Sequence, residues 1–400
     1  MTEPRRVSHV EHEQTPRLQL SGAVLLTGAT GFLGAHLLRD ALDCGAPAVT
    51  CLLRGEDAVA GKQALLRKLE WYFPDAPWAE LERRIRIVTG DITVRQFGLR
   101  GRAYDELADG HVLVINAAAS VSHIGRQADF FRVNTDSVAT LIELCQRGVP
   151  KALHHVSTVG VSGHFTSPPA LAAFCETHLE EGQAFANAYG ESKYRAELLM
   201  RSAFQEGLVG GVYRVGFIGP HSLSGRFQQN IQQNDTSRYV RACVRLGLAP
   251  YLPCSLVELT PVDSVARALL TLAADASLSG QTFHIENPHA ISQHDVVRTL
   301  QAAGYPIRLL TMDHFIDRLP RLSQDEESLT VMLSGVRGGP KTYGVPLGST
   351  FSQEELRRRG FEYPRLTSAW LGKFLQHAIE VGFIEAPRFW NLAPVVADLL

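Results

Sequence analysis

Short apolar runs alternate with longer stretches of helical periodicity through the first half of the chain. Ala23–Thr27 is an apolar run bounded by glycines, as expected of a parallel strand buried on both faces. Similar runs recur at Ala48–Leu53, Ile85–Thr89, Val112–Asn116, Ala152–Ser157 and Gly211–Val215. Between them, Ala35–Cys44 (stopped by Gly45), Lys62–Tyr72, Phe130–Arg147 and Tyr189–Glu206 carry the apolar period of helices. This alternation predicts an α/β fold, a doubly wound parallel (Rossmann) sheet covered on both faces.

The rhythm breaks after Gly216. Residues 217–260 read as irregular, apart from a helix near Ser237–Leu246. Val262–Ala274 reads as a helix, and Thr282–Ile285 as a strand returning to the main sheet. Beyond Ile291 the pattern is mostly helix and loop. The expected organisation is a flexible tail or linker at 1–20 and a nucleotide-binding domain at 21–216, completed by about 259–288. A smaller, mostly helical substrate-binding lid would be built from 217–258 and 289–400. Such a lid would close over the C-terminal edge of the sheet, where open α/β sheets bind their ligands.

Composition narrows the function. Of 400 residues, 45% are hydrophobic and 20% charged, which argues against global disorder. The 39 Lys and Arg nearly balance the 41 Asp and Glu, so nucleic-acid binding by bulk charge is excluded. Cysteines at 44, 51, 145, 175, 243 and 254 form no C-x-x-C pair and match no zinc spacing. Reduced thiols in a cytoplasmic protein, with no metal, are the expectation. The first twenty residues lack a signal-peptide core, and no apolar run approaches the ~18 residues of a membrane helix.

Candidate chemistry begins at Gly28-Ala29-Thr30-Gly31-Phe32-Leu33-Gly34, between the first strand and the first helix. Glycines there let the backbone approach a pyrophosphate, while the helix N-terminus offers free N–H groups and a positive dipole end. Arg54 ends the second strand, where an NAD enzyme usually carries a carboxylate for the ribose. A guanidinium suits a 2′-phosphate instead, so NADPH is the expected cofactor. Arg67 or Lys68 on the next helix could add a second charge, or form a solvated face. Asp91 and Ile92 follow the third strand, at the adenine edge. Asn116, Ala117 and Ala118 end the fourth, where small residues let a nicotinamide ribose pass. Asn134 interrupts a helical stretch and is expected to serve a local hydrogen bond.

Tyr189-Gly-Glu-Ser-Lys193 carries the catalytic expectation. Positions i and i+4 share a helix face, so the Lys193 ammonium should lie beside the Tyr189 phenol and lower its pKa from about 10. The phenol would then exchange protons near neutrality. A hydroxyl at the end of a strand should complete the set: Thr158, with Ser157 the alternative.

These motifs resemble the extended short-chain dehydrogenase/reductases: TGATGFLG, GD at 90–91, NAA at 116–118, STVGVSG at 157–163 and YGESK at 189–193. Within that superfamily the chain is most similar to thioester reductase domains, which end non-ribosomal peptide and polyketide assembly lines and occur in carboxylic acid reductases. CLLRG at 51–55, GDITVRQFGL at 90–99, YRVGFIGPHSLSGRFQQN at 213–230, LTPVDSVARAL at 259–269 and HAIEVGFIEAP at 377–387 carry this narrower likeness. It departs from the pattern at Asn116 and Ser122, and FANAYGESK leans toward fatty-acyl-reductase relatives. The resemblance implies NADPH-dependent reduction of an acyl or peptidyl thioester on a carrier protein's phosphopantetheine arm, or of a small acyl thioester. Thr158 and Tyr189 would donate to the oxyanion, and Lys193 would hold the nicotinamide ribose. The product is an aldehyde, or the alcohol after a second round. A monomer with neither nucleic-acid nor membrane partners is expected.

Other readings stay open at this point. A nucleotide-sugar or sterol enzyme of the same superfamily would more often carry an acidic residue where Arg54 stands. A non-catalytic NADP-sensing protein would tend to lose the Tyr and Lys. His123, His154, His155 and His164 cluster in sequence without metal-ligand spacing, and His123 could line the substrate entrance. Arg238, Arg241 and Arg245 form a helical stripe, read as a solvated face or a dock for an acidic carrier. Arg357, Arg358 and Arg359 read as a solvated helix end, and Trp370, Phe374 and His377 as core.

Overall fold

The structure, a computed structural model, describes residues 20, 22–121, 126–252, 255–318, 326–334 and 343–387. The expected tail lies outside these residues except for Leu20, which is buried and donates its N–H to the Cys44 carbonyl. The expected position of His123 also lies outside them.

Seven parallel strands form the main sheet: β1 (Val24–Thr27), β2 (Val49–Leu53), β3 (Ile85–Thr89), β4 (Leu113–Asn116), β5 (Ala152–Thr158), β6 (Val209–Val215) and β7 (Gln281–Ile285). Their spatial order is β7-β6-β5-β4-β1-β2-β3. The order reverses between β1 and β4, which opens a crevice at their C-terminal ends. Every residue of β1, β2 and β4 is buried, as continuous apolar runs covered on both faces should be.

Helices α1 (Phe32–Asp43), α2 (Ala58–Tyr72), α3 (Ser137–Cys145), α4 (Ala188–Gln205), α5 (Asp235–Leu246), α6 (Val262–Ala273), α7 (Gln293–Ala302), α8 (Glu326–Ser334), α9 (Thr350–Arg358) and α10 (Ser368–Glu380) surround the sheet or build the C-terminal part. On one face α1 packs against α6 through Leu37, Leu38, Leu269 and Leu272. On the other, Leu141 of α3 and Ala196 and Met200 of α4 pack over Val114, Leu153 and Val212. The C-terminal part has its own apolar core, with Val240 and Cys243 of α5, Val297 and Leu300 of α7, and Trp370 and Phe374 of α10.

Several elements differ from expectation for local reasons. Phe130–Arg147 is not one helix: a short helix at Gln127–Phe131 runs into a π-helical turn at Arg132–Asp136 before α3. The widened turn lets Asn134 hold Ser120 through both its backbone N–H (2.8 Å) and its carbonyl (3.1 Å), and donate to the Ser192 hydroxyl (3.0 Å). α2 starts at Ala58 because the Asp57 carboxylate caps the N–H groups of Val59 and Ala60. Beyond Ile291, Ile291–Ser292 pairs with Leu256–Val257, and Arg308–Leu310 with Leu248–Pro250. Strands this short leave no periodic signal. β7 does return to the main sheet, beside β6.

The arginine stripe on α5 is neither a bare solvated face nor an open dock. Glu327 of α8 pairs with Arg241 and lies 3.8 and 3.7 Å from Arg238 and Arg245. Arg359 is likewise no solvated end, since Asp275 and Glu355 both hold it. Trp370, Phe374 and His377 are buried, as expected. The described cysteines 44, 51, 145, 175 and 243 are free thiols. No helix of the described residues is long and apolar enough to cross a membrane.

Leu269 is fully buried where α6 meets α1. Leu269→Ala is expected to cost about 2–5 kcal/mol, read as a lower midpoint in urea unfolding; an unchanged midpoint would contradict this packing.

Candidate active site

The glycine loop follows β1 directly. Gly28 takes a left-handed φ of +76°, and a Cβ there would meet the Ala117 carbonyl and the Ala118 nitrogen at 2.6 Å. A Cβ on Gly34 would stand 2.0 Å from the Gly28 carbonyl. Gly31 donates its N–H to that carbonyl (2.8 Å) and caps α1 with no side-chain bond. The result is a tight cradle under a twelve-residue helix whose first N–H groups have no side-chain partner. These residues fit a dinucleotide pyrophosphate. Thr30 and Gly31 are exposed, Phe32 is half-buried against Tyr72 and Phe227, and Leu33 is buried in the core.

Arg54 is exposed just past β2, and its charge acts on Asp91 across the β2–β3 pair. Burial works to raise the Asp91 pKa. The Thr93 N–H (2.8 Å) and hydroxyl (2.7 Å), together with Arg54 and Arg132, outweigh it and hold the carboxyl below its usual range. Ile92 packs against the core beneath. Of the two cations considered on α2, Arg67 is exposed, whereas Lys68 reaches the glycine loop and donates to the Thr30 carbonyl at 2.5 Å. Lys68 is thus the residue on the cradle.

Asn116 is not turned toward the crevice. Its side chain accepts from Thr27 (2.6 Å) and meets His155 Nδ1 (3.0 Å) inside the core. The crevice beside Gly28 is lined instead by the backbone of Ala117 and Ala118. His154 and His155 are core residues; burial drops His154 to about 4, and burial with the Lys193 charge holds His155 well below its ordinary value. His164 pairs backbone-to-backbone with Ala184.

Tyr189, Lys193 and Thr158 come together where β5 ends and α4 begins. Asn187 caps α4 through the Gly190 N–H (3.0 Å), so Tyr189 lies in the first turn. Thr158 is the last residue of β5 and half-buried; its hydroxyl accepts the Gly160 N–H (3.2 Å) and acts on the Tyr189 phenol to lower its pKa. Ser157 is engaged elsewhere: its hydroxyl is buried and donates to Glu197. Lys193 is buried and donates to the Val156 carbonyl at 2.7 Å. The expected lowering of the phenol is not what this arrangement gives. Burial pushes the Tyr189 phenol up, with the Thr158 hydrogen bond opposing. Burial also lowers the Lys193 ammonium to about 8, with Glu197 opposing. A phenol held protonated beside a hydroxyl is a hydrogen-bond donor pair, which suits a reaction that develops negative charge on oxygen.

Two features of this edge were missed in the sequence. Glu197 and Arg214 form a fully buried ion pair behind the site (2.8 Å); no motif announces it, although Glu197 stands one helical turn beyond Lys193. Glu286, one residue past β7, is raised to about 7 by burial and by Glu258.

Comparison with known proteins agrees with this geometry. Residues 26–269 match the family model NAD_binding_4, described as male sterility protein. The chain is 30% identical over 319 residues to the nonribosomal peptide synthetase asaC of Aspergillus flavus, covering 77% of this chain but only 30% of that relative's length. Among solved structures, it is similar to the terminal R domain of the myxalamid PKS-NRPS pathway (TM-score 0.80, 29% identity, 92% of this chain and 94% of that one). It is also similar to a thiolation-reductase di-domain from an archaeal non-ribosomal peptide synthetase (TM-score 0.80, 26% identity, 92% and 77%).

Because a Cβ on Gly34 would collide with the Gly28 carbonyl, Gly34→Ala should open the cradle. Affinity for a nicotinamide dinucleotide, followed by fluorescence titration, is expected to fall by about tenfold or more; full affinity would refute the cradle.

Proposed function

The chain belongs to the NAD-binding male sterility protein family, as an extended short-chain dehydrogenase/reductase of the thioester reductase type, and from that premise we propose that it reduces a carrier-bound acyl or peptidyl thioester with NADPH. It is an oxidoreductase with a nicotinamide cofactor site. The observation that carries the finer reading is the meeting of Thr158, Tyr189 and Lys193 at the C-terminal edge of the sheet, beside the glycine cradle.

In this reading Gly28, Gly31 and Gly34, with the N-terminus of α1, hold the pyrophosphate. Arg54 takes the 2′-phosphate and Lys68 stiffens the loop, while Arg67 stays a solvent-facing charge. Asp91 and Ile92 border the adenine, the Asn116–Ala118 backbone borders the nicotinamide ribose, and Lys193 bonds that ribose. When bound, the nicotinamide supplies the hydride. Tyr189 and Thr158 donate to the acyl oxygen as it becomes negative, where such donors matter most. The tetrahedral adduct on the substrate carbon then releases the pantetheine sulfur. A thiol of pKa about 8.5 leaves readily, so expulsion needs little acid help, and an aldehyde results. A second round would give the alcohol.

The likeness to a thiolation-reductase di-domain supports a phosphopantetheinylated carrier protein as the partner. Small acyl thioesters would serve as surrogate substrates. In this reading the chain works as a monomer in the cytoplasm, a reducing setting that suits the free thiols among the described residues. Arg54 at the end of β2 argues for NADPH over the NAD expected of a nucleotide-sugar enzyme.

Three outcomes test this proposal. Tyr189→Phe should lower kcat roughly 100- to 1,000-fold while sparing NADPH binding; near-normal turnover would exclude the assigned donor. Arg54→Glu should raise the NADPH KM by about tenfold or more and leave the NADH KM little changed, whereas equal effects on both would put the 2′-phosphate elsewhere. Lys193 is charged below its pKa of about 8 and neutral above it. The kcat/KM profile should therefore be level on the acid side and fall as pH rises through about 8; activity that persists unchanged to pH 10 would remove Lys193 from the mechanism.

A further inference from the structure

We propose that Glu197, clamped by Arg214, is a positioning residue for the catalytic set: one buried carboxylate carries the hydroxyl of Ser157, the neighbour of Thr158, and faces the charge of Lys193 from one helical turn away. The inference rests on the reading that Thr158 and Lys193 take part in the reduction, and it assigns a task to a pair that the reaction itself does not touch.

The geometry is specific. Glu197 and Arg214 are 2% and 1% exposed, the most deeply buried ion pair among the described residues. Arg214 Nε lies 3.1 and 3.0 Å from the two Glu197 oxygens, and Nη2 lies 2.8 Å from the second. The remaining guanidinium positions donate to the His178 carbonyl (2.7 Å) and the Cys175 carbonyl (3.4 Å) and meet His284 Nε2 (3.2 Å), with the Phe174 ring 5.1 Å from the guanidinium carbon. Arg214 therefore also fastens the segment that connects β5 to α4. A buried charge pair is retained without penalty only when its hydrogen-bonding groups are met in this way.

Arg214 and Ser157 are register partners across β5 and β6, and Ser157 donates to the same carboxylate. The end of β5 is thereby fixed from its side chain as well as its backbone, one residue before Thr158. Among the described residues, Lys193 Nζ donates to the Val156 carbonyl (2.7 Å). The charged and titratable groups that act on it are His155 of β5, held neutral, and Glu197, while Tyr189, held protonated, stands one turn earlier on its own helix. Glu197 is the anion that opposes the lowering of this ammonium by burial. If the carboxylate alone were neutralised, Lys193 would face an unbalanced Arg214, and its ammonium would be disfavoured further.

The first readout does not need the cofactor. The chain has six lysines, so protein labelled with ε-carbon-13 lysine gives few NMR signals, and Lys193→Arg identifies the one that matters. The wild-type signal should titrate near 8. In Glu197→Gln the midpoint should fall by roughly one pH unit or more, and the alkaline limb of kcat/KM should move with it. Glu197→Asp should restore most of the shift. Should the single variant fail to fold, Glu197→Gln with Arg214→Gln removes both charges together; its midpoint should also lie below wild type, though by less. A Lys193 midpoint that stays at the wild-type value in the folded variants overturns the proposal. A wild-type protein that titrates as described yet leaves acyl thioesters unreduced would instead defeat the proposed reaction, without altering the result for Glu197.

Discussion

One buried ion pair ties together the edge where the proposed catalytic residues meet. Glu197 comes from the helix that carries Tyr189 and Lys193, Arg214 from the strand beside Thr158, and Ser157 from the strand that ends in Thr158. Three separate elements therefore share one set of charge-assisted hydrogen bonds. Such bonds are shorter and more directional than neutral ones, and in a dry interior they tolerate little displacement. Apolar packing alone would hold α4 over the sheet, but it would not specify which hydroxyl faces the phenol.

Burial at this edge has opposite consequences for two neighbours. It raises the Tyr189 phenol, which keeps its proton, and lowers the Lys193 ammonium to about 8, which brings that group close to losing one. A neutral phenol and a charged lysine coexist below that point. In that combination the phenol carries the proton it would donate to an oxygen gaining charge. The glycine cradle adds the second requirement. Gly28 sits so near Ala117 and Ala118 that, in the proposed reading, one backbone contact between β1 and β4 would set both the pyrophosphate end and the nicotinamide end of the site.

Much of this was legible in the sequence because it rests on local rules. The strand–glycine–helix turn needs only spacing, and buried parallel strands show as unbroken apolar runs. YGESK declares a shared helix face. What was hidden depends on tertiary neighbours. Arg67 and Lys68 are adjacent and equally basic, and only the path of α2 over the loop makes Lys68 the residue on the Thr30 carbonyl. Asn116 read as a crevice residue, yet Thr27 and His155 draw it inward. The π-helical turn at Arg132–Asp136 follows from bonds to Ser120 and Ser192 that are remote in sequence. The sign of the Tyr189 shift could not be read from an i, i+4 lysine, because the competing effect is burial.

If this edge delivers a hydride to a thioester carbonyl, a thiol must be freed in step with it. Stopped-flow mixing of the protein with NADPH and an acyl-phosphopantetheinyl carrier, following reduced nicotinamide and free thiol in the same reaction, tests it most directly. The two traces should move together, with at least one NADPH consumed for each thiol released. Thiol release without NADPH consumption, or NADPH binding with neither trace changing, would contradict it.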